Sequence, residues 1–219
     1  MSTEWTSLKP FLARCPIVPV LTVKDAAHAA PLARALTAAG MTVLEVTLRT
    51  ECALEVIRII SETSTDACVG GGTALAPADI EAIIKAGGRF VVSPGAPARL
   101  LQAGAAAKVP LIPGVATVTE AMTARDAGFR FLKFFPAGPA GGPSALKAFV
   151  APLPDLVFCP TGGVTPENLT EYLSLPNVVA VGGSWMVPEN MIAQGRFDEI
   201  GNMARQAVGR AQRLRVGHG

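Results

Sequence analysis

Short β-rich runs alternate with longer helical stretches along the whole chain, and this alternation limits the fold more than any other feature. Candidate strands occupy Ile17–Val23, Thr42–Leu48, Ala67–Gly70, Arg89–Ser93, Val109–Ile112, Phe129–Phe134, Leu156–Cys159 and Val178–Val181. Between them lie helical stretches such as Ala26–Ala39, Thr50–Glu62, Pro77–Ala86 and Thr117–Ala127. Thr50 is placed to cap a helix, Pro77 and Pro166 suit first helical positions, and Gly40, Gly87 and Gly128 suit C-terminal stops. Repeated βα units about 25 residues apart, with no Ser/Gly-rich linker, predict one parallel α/β domain spanning the chain. The simplest closure is a single (β/α)8 TIM barrel over residues 1–219, with an N-terminal extension and a C-terminal helix. An open doubly wound sheet calls for a glycine-rich turn after the first strand, and none follows Val23.

Composition narrows the chemistry. Half of the 219 residues are hydrophobic and 16% are charged, as expected of a compact globular chain. A formal charge of +2 gives no reason to expect nucleic acid. Arg205, Arg210, Arg213 and Arg215 read as the solvated face and last turns of a terminal helix. The stretch from Met1 to Pro10 lacks a signal-peptide core, and no apolar run approaches a membrane span. Cys15, Cys52, Cys68 and Cys159 are widely spaced and read as reduced thiols of a cytoplasmic protein. His28 and His218 are the only imidazoles, with His218 in the tail, so the chemistry falls to Lys, Glu, Arg and hydroxyls.

Lys133 lies in the run Phe131-Leu132-Lys133-Phe134-Phe135-Pro136. An ammonium ion among such neighbours loses hydration, so it must find a partner, become neutral, or serve chemistry that uses a neutral amine. A desolvated lysine is a nucleophile towards ketones, forming a Schiff base. The competing explanation is a strand-end lysine whose head reaches water.

In a barrel of this kind, active sites form at the C-terminal ends of the strands. Alternation along Val43-Leu44-Glu45-Val46-Thr47-Leu48-Arg49 sends Glu45, Thr47 and Arg49 to one face, and Leu44, Val46 and Leu48 to the other. That places a carboxylate and a guanidinium at the mouth, either as chemistry or as a structural Glu45–Arg49 ion pair. Gly70-Gly71-Gly72-Thr73 reads equally as a ligand approach or a plain turn. Thr161-Gly162-Gly163-Val164-Thr165 follows the seventh strand, and Gly182-Gly183-Ser184-Trp185 follows the eighth. Glycine-rich loops at those two positions are where such barrels hold phosphate. Lysine, carboxylate and phosphate loops together point to Schiff-base chemistry on a phosphorylated oxo compound.

These residues carry a resemblance. Val43-Leu44-Glu45-Val46-Thr47-Leu48-Arg49-Thr50, Lys133-Phe134-Phe135-Pro136-Ala137, Phe158-Cys159-Pro160-Thr161-Gly162-Gly163 and Gly182-Gly183-Ser184-Trp185 are similar to the bacterial class I 2-keto-3-deoxy-6-phosphogluconate (KDPG) aldolase and 4-hydroxy-2-oxoglutarate aldolase family. The resemblance spans nearly the whole chain. It implies a (β/α)8 barrel, a homotrimer, no metal or other cofactor, and a phosphorylated 2-oxo acid as the small-molecule partner. It assigns Lys133 as the Schiff-base lysine and Glu45 as the acid/base. Arg49 and Thr73 fall at the substrate carboxylate, Pro94 and Phe135 in the pocket wall, and Thr161, Gly162, Gly163, Gly182, Gly183 and Ser184 at the phosphate.

The implied reaction is reversible cleavage to pyruvate and glyceraldehyde 3-phosphate in the Entner–Doudoroff pathway, with side activities on 4-hydroxy-2-oxoglutarate and oxaloacetate. Thr161 and the stretch from Gly182 to Trp185 favour the gluconate-derived substrate over its C4 epimer. Two departures from the family pattern are visible: Gly71 where the family often has Ala, and Gly138 where it often has Glu. Rival readings are a phosphosugar isomerase, which leaves Lys133 unexplained, and a non-catalytic sugar-phosphate-binding protein.

Overall fold

The computed structural model describes residues 5–64 and 66–216; His218 and the first four residues of the expected N-terminal extension lie outside them. Its strands are β1 (Ile17–Leu21), β2 (Val43–Thr47), β3 (Cys68–Gly72), β4 (Val91–Val92), β5 (Leu111–Ile112), β6 (Gly114–Val115), β7 (Phe131–Phe134), β8 (Val157–Pro160) and β9 (Val181–Gly183). The helices are α1 (Lys9–Arg14), α2 (Ala29–Ala38), α3 (Ala53–Thr63), α4 (Pro77–Lys85), α5 (Ala98–Ala106), α6 (Val118–Asp126), α7 (Gly142–Phe149), α8 (Leu169–Leu173), α9 (Glu189–Ala193) and α10 (Phe197–Val216).

All ladders are parallel, as strands joined through helices require. They form two sheets rather than the one continuous barrel sheet expected from the alternation: β5-β4-β3-β2-β1-β9 and β6-β7-β8. The expected fifth strand, Val109–Ile112, is present as β5, and past Pro113 the chain forms a further short strand, β6, that pairs with β7. Proline has no N–H for the ladder, although its carbonyl accepts from the Lys133 amide at 2.9 Å. Between β8 and β9 the regular ladder is replaced by single bridges, Phe158 to Val178 and Thr161 to Gly182.

Strand alternation separates two hydrophobic clusters. The larger one packs Ile17, Leu21, Leu44, Val46, Val69, Leu132, Phe134 and Phe158 with the apolar faces of the helices. The smaller joins Val18, Val43, Cys68, Phe90, Val92, Ile112, Phe131 and Cys159, on the opposite strand faces, to Leu8 and Leu12. Leu12 belongs to α1, so this helix covers the end of the smaller cluster, and Thr42 Oγ1 donates to the Phe11 carbonyl at 2.7 Å to tie it down.

Most expected helix punctuation is present. Pro77 occupies the first position of α4, and Gly40, Gly87 and Gly128 take left-handed φ values of 90°, 90° and 97° after α2, α4 and α6. Thr50 does not cap α3. Its hydroxyl donates to Val23 O at 2.7 Å, and Cys52 holds the cap position without a side-chain bond. Pro166 lies in a turn ahead of α8 rather than at its first position.

A capping box starts α6: the Glu120 amide donates to Thr117 Oγ1 at 3.2 Å, and Glu120 Oε2 accepts from the Thr117 amide at 2.9 Å. The Ala116 amide also donates to Glu120, and is the main reason its carboxyl is held below the ordinary range. This support is therefore present at neutral pH and lost as the pH falls through the depressed value. Thr117→Ala is expected to cost about 1 kcal/mol, read as a fall in Tm of about 2–4 °C.

Candidate active site

The site grows from two strands far apart in sequence. Glu45 on β2 lies in register with Val20 of β1 and Gly70 of β3. Lys133 on β7 lies in register with Gly114 of β6 and Cys159 of β8. Both point away from the helices, where alternation puts them, into the space bounded by the smaller cluster. Lys133 Nζ donates to Glu45 Oε1 at 3.1 Å across 88 positions of sequence. The two side chains are only 7% and 4% exposed, so a lysine and a carboxylate meet almost out of water. The choice left open by the sequence is settled: Glu45 pairs with Lys133, and Arg49 enters no salt bridge among the described residues.

Around this pair the expected site residues fall in two groups. Phe135 is half-buried, with its ring centroid 5.4 Å from Lys133 Nζ. A side chain on Gly162 would meet that ring at 3.3 Å, so this glycine allows the loop to pass against it. Gly162 and Gly163 both have φ of 87°, a left-handed conformation that favours glycine. Their carbonyls are occupied, Gly162 O by the Gly138 amide at 2.8 Å and Gly163 O by Asn168 Nδ2 at 2.8 Å. Thr161 is buried and bridges to Gly182, and Ser184 is exposed just past β9.

On the other side, Thr73 directly follows β3 with φ of 64°, an unusual conformation for a β-branched residue. Pro94 follows the buried Ser93, whose Oγ accepts from the Gly114 amide at 3.3 Å, fixing it beside the Lys133 strand. Arg49 is exposed, two residues beyond β2.

Two features differ from the sequence reading. Gly71 and Gly72 belong to β3, and Gly182 and Gly183 to β9, rather than to loops after them. Cys159, read only as a reduced thiol, faces the same space as Lys133, Glu45 and Thr161. Alternation back from Thr161, one residue past the end of β8, was the available signal. Burial first, and then the Glu45 charge, push the Cys159 thiol up to about 12, so it stays protonated beside the pair. Burial pushes Cys68 up to about 11. Folded protein exposed to iodoacetamide at about pH 8, just below the ordinary thiol range, is expected to be alkylated at half-buried Cys52. Cys68 and Cys159 should react only after denaturation, as peptide mass spectrometry would check.

With this geometry in hand, comparison with known proteins is decisive. The KDPG and KHG aldolase model matches residues 8–203. The chain belongs to that family. It is 46% identical over 209 residues to the 2-dehydro-3-deoxy-phosphogluconate aldolase of Pseudoalteromonas atlantica, covering 95% of this chain and 97% of that protein. Among solved structures it is similar to KDPG aldolase from Legionella pneumophila, with pyruvate captured at low pH as a covalent carbinolamine intermediate. That match has 43% identity and a TM-score of 0.88, covering 90% of this chain and 96% of the other. The Zymomonas mobilis KDPG aldolase with 3-phosphoglycerate matches at 40% identity and a TM-score of 0.86, covering 94% and 96%.

Proposed function

We propose that the protein is a class I aldolase that cleaves 2-keto-3-deoxy-6-phosphogluconate reversibly to pyruvate and glyceraldehyde 3-phosphate, the carbon–carbon lyase step of the Entner–Doudoroff pathway. The observation that carries this reading is the buried Lys133–Glu45 contact at 3.1 Å. An amine and a carboxylate this close can act in turn on one bound substrate, which supports the reading. The Legionella relative's carbinolamine is the kind of adduct such an amine forms.

The two sheets are read here as one closed (β/α)8 barrel. The β8–β9 bridges and the continuation of β5 into β6 past Pro113 support this. The mouth then lies where β2, β3, β7, β8 and β9 end.

In its neutral form, with its proton passed to Glu45, Lys133 attacks the C2 ketone. A proton moves from the attacking nitrogen to the C2 oxygen to give the carbinolamine; the protonated carboxyl then gives its proton to that hydroxyl, water leaves, and a protonated imine remains. Glu45 then removes the C4 hydroxyl proton. The C3–C4 bond electrons move into the imine, and glyceraldehyde 3-phosphate departs. The enamine takes a proton at C3 from Glu45, and water hydrolyses the resulting imine to pyruvate and free Lys133. Arg49, free of ion pairs among the described residues, and Thr73 hold the substrate carboxylate, with Pro94 and Phe135 lining the pocket. Thr161, Gly162, Gly163, Gly182, Gly183 and Ser184 hold the phosphate. Left-handed glycines let backbone amides converge on an anion.

Bond cleavage involves only C1 to C4, so 4-hydroxy-2-oxoglutarate presents the same reacting pattern, and oxaloacetate can lose carbon dioxide through the same enamine. The proposal includes a homotrimer, from the family resemblance, and a cytoplasmic setting, in keeping with four free thiols. No helix among the described residues is long and apolar enough to cross a membrane.

Borohydride reduction with pyruvate, followed by peptide mass spectrometry, tests the reading. One pyruvate-derived adduct is expected on Lys133 and none in Lys133→Ala. An unlabelled folded protein, or an adduct on another of the six lysines, would remove the Schiff-base assignment.

A further inference from the structure

We infer that Gly72 is a positioning residue for the Glu45 carboxylate: the missing side chain at the last position of β3 is the slot in which that carboxylate lies. This rests on the role proposed for Glu45. Glu45 stands opposite Gly70 in the ladder, and Gly72 is two residues further along the same face of β3, opposite Thr47. A methyl group on Gly72 would overlap Glu45 Oε1 and stand 2.7 Å from its Cγ and 2.8 Å from its Cδ. Oε1 is the oxygen that accepts from Lys133 Nζ. The backbone does not call for glycine here, because Gly72 is not among the residues with left-handed φ; that conformation begins at Thr73. Space alone requires it.

The two preceding glycines are occupied differently. A methyl on Gly70 would meet the Phe90 ring and carbonyl, and one on Gly71 would meet Ile83 on the helix-facing side. These are packing contacts within the fold. Only the third glycine of the run faces a reacting group. Since the obstructing atoms at Gly72 belong to a side chain rather than to backbone, Gly72→Ala should leave the strand in place and move the carboxylate. Displacing a reacting group by about 1 Å costs turnover on the order of a hundredfold.

Kinetics of Gly72→Ala, combined with a thermal double-mutant cycle, test this. The expected result is a fall in kcat of roughly a hundredfold, with KM for KDPG within about threefold of the parent, since groups that bind its two ends are untouched. In the cycle, Gly72→Ala should lower Tm by roughly 3–10 °C when Glu45 is present, as overpacking does. It should leave Tm nearly unchanged in a Glu45→Ala background, where the slot is empty. Gly72→Ala that unfolds alone but folds with Glu45→Ala gives the same support. A folded Gly72→Ala with near-parental kcat overturns the proposal, as does an equal Tm loss, or unfolding, in both backgrounds. If Glu45→Gln proves fully active, the role of Glu45 falls, while the thermal cycle still tests the slot.

Discussion

Lys133→Met is expected to lose at least about four decades of turnover, because no other group in the site can form the imine. It should also lose stability. Among the described residues Lys133 and Glu45 are the charged members of the buried polar set, and each is the other's ion-pair partner. Removing one member of a buried pair leaves the other without compensation, a cost of about 3–5 kcal/mol. Methionine fills most of the lysine volume, so a cavity does not account for the loss. The second half of the prediction separates the two effects. Adding Glu45→Leu should restore most of the stability, since apolar replacement of a whole buried pair is often neutral or better, while turnover stays at background. Denaturant melts of the single and double variants, alongside pyruvate release, check both halves. A Lys133→Met protein with measurable aldol cleavage would end the proposed mechanism, and equal stability of parent and single variant would end the account of the pair.

Glu45→Gln is expected to slow turnover by roughly 10²–10⁴-fold, the usual loss when a general acid/base is removed. Glutamine keeps the length and shape of glutamate, so its amide oxygen can still accept from Lys133 and the fold should persist. It cannot accept and return the protons that the mechanism moves at the C2 and C4 hydroxyls and at C3. Borohydride trapping of pyruvate on Lys133 should therefore slow as well, because loss of water from the carbinolamine needs an acid. A Glu45→Gln protein with near-parental kcat would refute the acid/base role, whatever its effect on KM.

Much of this site is legible one strand at a time. The alternation Val43, Glu45, Thr47 against Leu44 and Val46 places the carboxylate on the face away from the helices, as found. Lys133 between Leu132 and Phe134 follows the same rule. Glycines after α2, α4 and α6 announce helix ends, because few other residues accept left-handed φ. Other features fail for definite reasons. Gly71, Gly72, Gly182 and Gly183 look like turn residues but sit within strands, because neighbouring side chains fill the space beside them: Ile83, Glu45, Thr161 and Trp185. Thr50 looks like a cap, but its hydroxyl finds the Val23 carbonyl on a neighbouring connection. The short strand Gly114–Val115 goes unread because the hydrophobic pattern ends at Ile112, before Pro113, and only pairing with β7 makes it a strand.

By itself the chain of letters determined a parallel α/β architecture, the face on which each strand residue points, and a desolvated lysine with a carboxylate among its possible companions. Those follow from periodicities of two and about 3.6 residues, which are local properties of backbone geometry. Tertiary structure decided which carboxylate meets that lysine, that Arg49 stays out of the pair, that Cys159 borders the same space, and that Gly72 leaves room for Glu45. Each depends on the register and spatial order of strands distant in sequence. Distance across a sheet is set by hydrogen-bond pairing between strands, and no spacing along the chain encodes it.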